Sequence, residues 1–422
     1  MKKLTLQILF LVLLSLSSCD KKAPVLKETS PESVCMSSER LARIDNILQQ
    51  AVDSSWTAGA VGFIARDGKI IYEKAFGVSD LETRVPMKTD DIFRIASQTK
   101  AVVSVAAMML FEEGKFLLDD PVSKYIPEFA HNQVLDVFNE KDSTFTTIPA
   151  KRQVTIRDLF THTSGIGYAG IGTPVMNAIY AKADIPGGFG NAGVVIGDKM
   201  KNLGKLPLFH HPGERFTYGL NVDVLGYLVE VWSGEKLDQF LRTRMFEPLG
   251  MNDTYFYLPE EKQIRLVKVS GEDSRGHVVF SKSDFFDYPL LENGTYFSGG
   301  AGLSSTVKDY GTFLQMLLNN GVYNGKRLLS RRTVELITSN QISDLNVGRD
   351  KFGLGFQITT EEGQTQFGIS EGSFSWGGYF ATNYWADPKE RLVCLIFTQQ
   401  SPMSHGDIHN KFRAMVYQAL DD

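Results

Sequence analysis

The stretch Phe93-Arg94-Ile95-Ala96-Ser97-Gln98-Thr99-Lys100, continued by the run Ala101-Val102-Val103-Ser104-Val105-Ala106-Ala107-Met108-Met109-Leu110-Phe111, decides how the rest of the chain is read. Ser97 and Lys100 stand three residues apart. On a helix that spacing sets a hydroxyl and an amine on one face, one turn from each other. The run behind them is apolar almost all the way round, and such a helix belongs inside a domain. A serine and a lysine are therefore expected in the interior, on the first turn of a buried helix. Removing an amine from water favours its neutral form, the form that serves as a base near neutral pH.

The spacing alone is cheap. It recurs at Ser18/Lys21, Ser233/Lys236 and Ser305/Lys308, but only Ser97 precedes a long helix that must be buried. Locally, an N-cap role for Ser97 and a solvated first-turn position for Lys100 read equally well. The choice falls to the rest of the chain.

That chain has 422 residues, 43% of them hydrophobic and 22% charged, enough for a large core in one domain or two interleaved ones. A net charge of −5 without a basic block argues against nucleic acid as a partner. No internal apolar stretch has the length of a membrane span. At the N-terminus, Lys2 and Lys3 precede the apolar core Leu4 to Leu16, the pattern of an export leader over residues 1–18. Leu16-Ser17-Ser18-Cys19 resembles the bacterial lipoprotein cleavage box. That resemblance implies lipidation of Cys19, a membrane anchor and an exported, cell-envelope location. Residues 19–36 read as a polar tether. Cys35 and Cys394 make no disulfide framework, and Cys394, within the strand-like run Arg391 to Phe397, reads as a small core residue.

Beyond the tether, Leu41, Ile44, Leu48 and Ala51 mark one face of a helix capped by Ser37 or Ser38. Ala60 to Arg66 and Lys69 to Lys74, joined by Asp67-Gly68, read as a hairpin. A short β excursion is expected between Val134 and Ile148, a capped helix at Thr155 to His162, and further helices at Val222 to Trp232 and Thr306 to Leu318. The C-terminal part reads as strands at Gly355 to Thr359, Gly378 to Trp385 and Arg391 to Thr398, then a helix from His405 to Leu420. The fold class expected is α/β: a mainly antiparallel sheet built from both chain ends (37–115 and 290–422), flanked by helices, with an inserted, mostly helical domain at 116–289.

A nucleophilic serine needs a base, an oxyanion site and a group that handles the leaving atom. Besides Lys100, Tyr218 is the best placed by sequence, in the turn Pro212-Gly213-Glu214-Arg215-Phe216-Thr217-Tyr218-Gly219-Leu220 that feeds a helix; its plain alternative is an aromatic anchor. Ser375-Trp376-Gly377-Gly378-Tyr379 places two glycines in a strand-like segment. That suggests either a bulge or close approach of something to the backbone.

Together these segments, with Leu159 to Gly165 and Gly299-Gly300-Ala301-Gly302-Leu303, resemble the serine β-lactamase and penicillin-binding-protein superfamily on its class C side. The resemblance covers nearly the whole chain after the leader. It implies Ser97 as nucleophile, Lys100 and Tyr218 as proton-handling partners, and the backbone N–H groups of Ser97 and Tyr379 as oxyanion hole. Two positions depart from the lactamase pattern. Leu220 stands where Tyr-x-Asn has its asparagine, and Trp376-Gly377-Gly378 replaces a cation, a hydroxyl residue and glycine. An indole followed by glycine cannot hold a substrate carboxylate. The pattern is similar instead to the esterase branch, the family VIII carboxylesterases, which implies neutral short-chain esters as substrates, an acyl pocket lined by Trp376, Gly377 and Gly378, and no cofactor. A weak β-lactamase or D-amino-acid peptidase, an acyltransferase and a non-catalytic ligand-binding relative stay open.

Four other signals are weighed and set aside. Gly368-Ile369-Ser370-Glu371-Gly372 matches the G-x-S-x-G nucleophile elbow, but the residues before it make a poor strand. Gly188 to Gly193 matches G-x-G-x-x-G, yet Pro186 stands where a strand should. His405 and His409, four apart around Asp407, have metal-like spacing; without further ligands an exposed helix face and no metal are expected. His162 is expected to hold a turn.

Overall fold

The computed structural model describes residues 23–189, 193–281 and 283–422. Cys19 and the leader, and the middle of the Gly188 to Gly193 segment, lie outside the described residues.

Eight strands form one sheet in the order Lys27–Glu28, Lys69–Gly77, Gly59–Arg66, Leu392–Phe397, Thr382–Asp387, Phe374–Gly377, Gln357–Ile358, Lys351–Phe352. The Lys27–Glu28 pairing is parallel and the rest are antiparallel. The two chain ends meet where Gly59–Arg66 runs beside Leu392–Phe397, Val61 opposite Phe397 and Arg66 opposite Leu392. Both strands are buried along their length. Helices cover both faces of the sheet, which is why these strands read as unbroken apolar runs.

Alternation along the strands sorts two cores. On one face Ala60, Ile64, Leu392, Cys394 and Ile396 meet Leu41, Ile44 and Leu48 of the helix Ser38–Asp53, together with Ile408, Phe412 and Val416 of the helix Asp407–Gln418. Cys394 is thus a core residue. On the other face Val61, Phe63, Val393, Leu395 and Phe397 join the helices Val307–Leu318 and Thr99–Glu112. The latter is buried from Thr99 through Leu110, in accord with its lack of a polar face. The Asn221–Ser233 helix packs beside it, and the expected β excursion is a hairpin of Gln133–Asn139 with Thr144–Pro149.

Three readings are corrected, and the poor strand before Ser370 resolves as a helix. The tether does not reach residue 36 as free chain: Leu26 is buried, Lys27–Glu28 adds to the sheet edge, and Arg66 Nη1 donates to the carbonyls of Val34 (3.0 Å) and Cys35 (2.9 Å). An edge strand with unpaired backbone groups is a ready partner for any extended segment. The run Gly378 to Trp385 is not one strand: the chain turns at 378–381 between Phe374–Gly377 and Thr382–Asp387, with Ala381 at φ +56. The residues before the Ser370 motif form a helix, Glu361–Phe367, closed by Gly368 in the left-handed region. Finally, the His405/His409 face is covered: His405 stacks on Trp56 at 4.7 Å and His409 Nε2 is buried.

Candidate active site

Ser97 does not sit on the α-helix itself. It lies on a 3-10 turn, Ala96–Gln98, that runs into the helix Thr99–Glu112. Ala96 just before it has φ +43, a region that costs a residue with a β-carbon on the order of 1 kcal/mol. Its neighbours hold it there. Phe93–Arg94 pairs with Ser304–Ser305, the Ile95 amide donates to Leu303 O at 3.1 Å, the Leu303 amide donates to Thr99 Oγ1 at 3.0 Å, and the Arg94 amide donates to Gln399 Oε1 at 2.7 Å. Between buried Ala96 and buried Gln98, Ser97 alone is half-buried. The turn presents one hydroxyl to the cleft.

Lys100, 2% exposed, reaches back to that hydroxyl. Its Nζ donates to Gly300 O at 2.8 Å and lies 3.5 Å from Ser97 Oγ. The same Nζ stands 4.5 Å above the ring centroid of Tyr218 and 5.2 Å above that of Tyr168. The structure therefore brings Tyr218, from a distant segment, to the Ser97 and Lys100 pair.

The Tyr218 turn is set by close backbone packing. A β-carbon on Gly219 would come within 2.1 Å of Ile166 O. Beneath it His162, fully buried and at φ +56, faces the Gly219 amide (3.3 Å) and Asn221 Nδ2 (3.0 Å) through Nδ1, and its ring tilts against Tyr218 at 4.9 Å. Burial, and then the Lys100 charge, hold this imidazole well below its usual pKa, so it stays neutral. His162 holds the turn.

The third segment closes the cleft. Trp376 is tilted against Tyr218 at 5.5 Å, and its indole N–H donates to Tyr218 Oη at 3.4 Å. At the end of its strand, a β-carbon on Gly378 would meet Thr382 Oγ1 at 2.2 Å and Ile95 O at 2.5 Å, whereas one on Gly377 would find ordinary contacts. The close approach suggested by the paired glycines therefore belongs to Gly378, and what approaches is the backbone two residues before Ser97. The next amide, Tyr379 N–H, has no hydrogen-bond partner among the described residues; the Tyr379 side chain points outward, 45% exposed, against Phe189 and Phe380.

Sequence reasoning missed three participants. Gly300 supplies the carbonyl that anchors Lys100, although its segment was read only as a motif. Tyr168, buried and held well above its usual pKa first by burial and then by Asp223, is the second ring beneath Lys100 Nζ. Asp223, fully buried, was signalled only by an acid inside an otherwise apolar helix. Burial raises its pKa, against the opposing pull of Lys100 and of Ser298. Ser298 Oγ stands 2.6 Å from Gly188 O and 2.7 Å from Asp223 Oδ1. One hydroxyl proton cannot serve both contacts at once.

The chain belongs to the Beta-lactamase family, whose model matches residues 44–418. An uncharacterised Mycobacterium tuberculosis protein is 34% identical over 370 residues, covering 84% of this chain and 89% of that protein. Esterase EstB of Burkholderia gladioli is 28% identical over 382 residues, covering 85% and 90% respectively. Among solved structures, EstCE1, described as a hydrolase with promiscuous acyltransferase activity, superposes with a TM-score of 0.75 at 25% identity, covering 90% of this chain and 99% of its own.

Proposed function

We propose that this chain is a serine hydrolase that cleaves neutral short-chain carboxylic esters through an acyl-enzyme on Ser97. Ser97 Oγ attacks the ester carbonyl carbon while its proton passes to the Lys100–Tyr218 pair. The oxyanion is received by the amides of Ser97 and Tyr379, above the N-terminal end of the Thr99–Glu112 helix. The C–O bond to the alcohol breaks as the proton returns to the leaving oxygen, and water then attacks the acyl-Ser97 carbonyl by the same route. Trp376 positions the phenol of Tyr218 and walls the acyl side with Gly377 and Gly378. The observation that carries this reading is one side-chain nitrogen, Lys100 Nζ, lying 3.5 Å from the Ser97 hydroxyl and 4.5 Å above the Tyr218 ring.

An indole at the position of the carboxylate-binding cation supports a neutral substrate, and so do the named activities of EstB and EstCE1. Turnover of p-nitrophenyl butyrate and of nitrocefin on the same preparation tests it. The ester should give the larger kcat/KM by about a hundredfold or more, the scale of losing a charge-assisted contact; a larger value for nitrocefin refutes the ester assignment.

The reading extends to location. A lipid on Cys19 would hold the domain at the envelope membrane. Cys19→Ala should move the protein from the membrane to the soluble fraction, and unchanged membrane association would contradict the anchor.

A further inference from the structure

The strand Phe374–Gly377 works on two sides. Trp376 turns to the Ser97 cleft. Ser375 and Gly377 turn the other way and, with Trp376 itself and with Asn383, Gln357, Asp350 and Arg413, line a cavity of about 240 Å³. That volume corresponds to roughly eight water molecules at about 30 Å³ each, room for a small organic molecule.

Arg413 comes from the C-terminal helix, with its guanidinium carbon 5.1 Å from the Trp385 ring centroid and 5.6 Å from that of Phe367. The rings fix the fork without using its in-plane donors. Nη2 donates to Asn383 Oδ1 at 3.2 Å, and the buried Nε–H has no partner among the described residues. A guanidinium carries five N–H donors, and leaving them unmet away from water is costly. On another wall of the cavity Asp350 accepts from Gln357 Nε2 at 2.5 Å and from the Thr360 amide at 3.2 Å. A carboxylate has about four acceptor sites, so it keeps capacity for another donor. A fixed cation with spare donors and a fixed anion with spare lone pairs line one small polar cavity. That arrangement complements a zwitterion, in which a carboxylate meets the guanidinium fork and an ammonium meets the acid.

We propose that this cavity is a binding site for a small free amino acid, its carboxylate on Arg413 and its ammonium on Asp350. The proposal does not rest on the hydrolase reading, because the two charged groups it uses, Arg413 and Asp350, take no part at Ser97, although Trp376 and Gly377 border both the cleft and the cavity.

Calorimetric titration of the Ser97→Ala variant with each of the twenty standard amino acids, and with acetate and methylamine as the two halves of the zwitterion, tests it. At least one amino acid should bind one-to-one and more tightly than either half. Arg413→Gln should weaken that binding about tenfold or more, and Arg413→Lys, which keeps the charge but loses the fork, by less. Gln366→Trp, an exposed rim position on the helix Glu361–Phe367, should block the cavity without touching the core. It decides the matter if Arg413→Gln fails to fold, with Tm reporting the fold of each variant. No saturable binding by any amino acid overturns the proposal. So does acetate binding as tightly as the best amino acid, or affinity unchanged in a folded Arg413→Gln or Gln366→Trp protein.

Discussion

Two serines in this chain sit in sequences that point to ester cleavage, and the fold treats them differently. Ser370 follows a short helix closed by Gly368. It is 5% exposed, its amide donates to Asp387 Oδ2 at 3.2 Å, and no basic side chain bonds its hydroxyl among the described residues. Asp387, the acid that accepts from the Ser370 amide, is further occupied by the Tyr417 hydroxyl and by the amides of Lys389 and Glu390. Ser97 has the opposite surroundings: a left-handed residue before it, a buried helix after it, and Lys100 Nζ 3.5 Å from its hydroxyl. A nucleophile is made by what the tertiary fold brings to the hydroxyl, and glycine spacing around a serine does not supply that.

Substitutions sharpen this contrast, beginning with the largest effect. Lys100→Met should lower kcat/KM for p-nitrophenyl butyrate by about 10²–10⁴-fold, the usual worth of a positioned proton acceptor, and Tyr218→Phe should fall in the same range. Trp376→Phe keeps a ring against Tyr218 but removes the N–H donor, and should cost about tenfold, the scale of one hydrogen bond. Ser370→Ala should leave kcat/KM within about twofold. Loss of activity in the last variant with Tm unchanged would reverse the assignment of the two serines.

A smaller effect separates the site from the C-terminal helix by pH. Burial pulls the His409 imidazole down to about 4, against about 6.5 for an unperturbed histidine. Above pH 6.5 the group is neutral in both folded and unfolded chains and adds no pH dependence. As pH falls from 6.5 to 4 the unfolded chain takes up a proton that the folded chain refuses, so stability drops across that window and levels below it. His409→Gln should remove about one proton from the slope of unfolding free energy against pH in that range. An unchanged slope would contradict the burial argument.

Much of this was legible in the sequence for a physical reason. The Thr99–Glu112 helix is apolar all round, and the two central strands are buried on both faces, so their burial is written in composition alone. Ser97 and Lys100 followed from three-residue spacing next to that helix, and Tyr218 and Trp376 from motifs that match the family pattern. What did not show was interaction across long separations. Gly300 O meets Lys100 across 200 residues, and the indole of Trp376 meets Tyr218 across 158. Asp223 looked like one stray acid in a helix until Ser298 was placed against it. The turn at Gly378–Ala381 was misread as strand because Tyr379 and Phe380 are good strand formers; the fold instead closes a tight turn there, the Gly378 amide donating to Thr382 O at 2.8 Å and the Ala381 amide to Gly378 O at 3.1 Å.

The most direct measurement is covalent labelling with a fluorophosphonate probe, read by intact mass and peptide mapping on the wild-type chain and on Lys100→Met. One equivalent of label on the peptide carrying Ser97, formed much more slowly in the variant, is the result expected. Label on Ser370, or none on a folded and otherwise intact protein, would contradict the account.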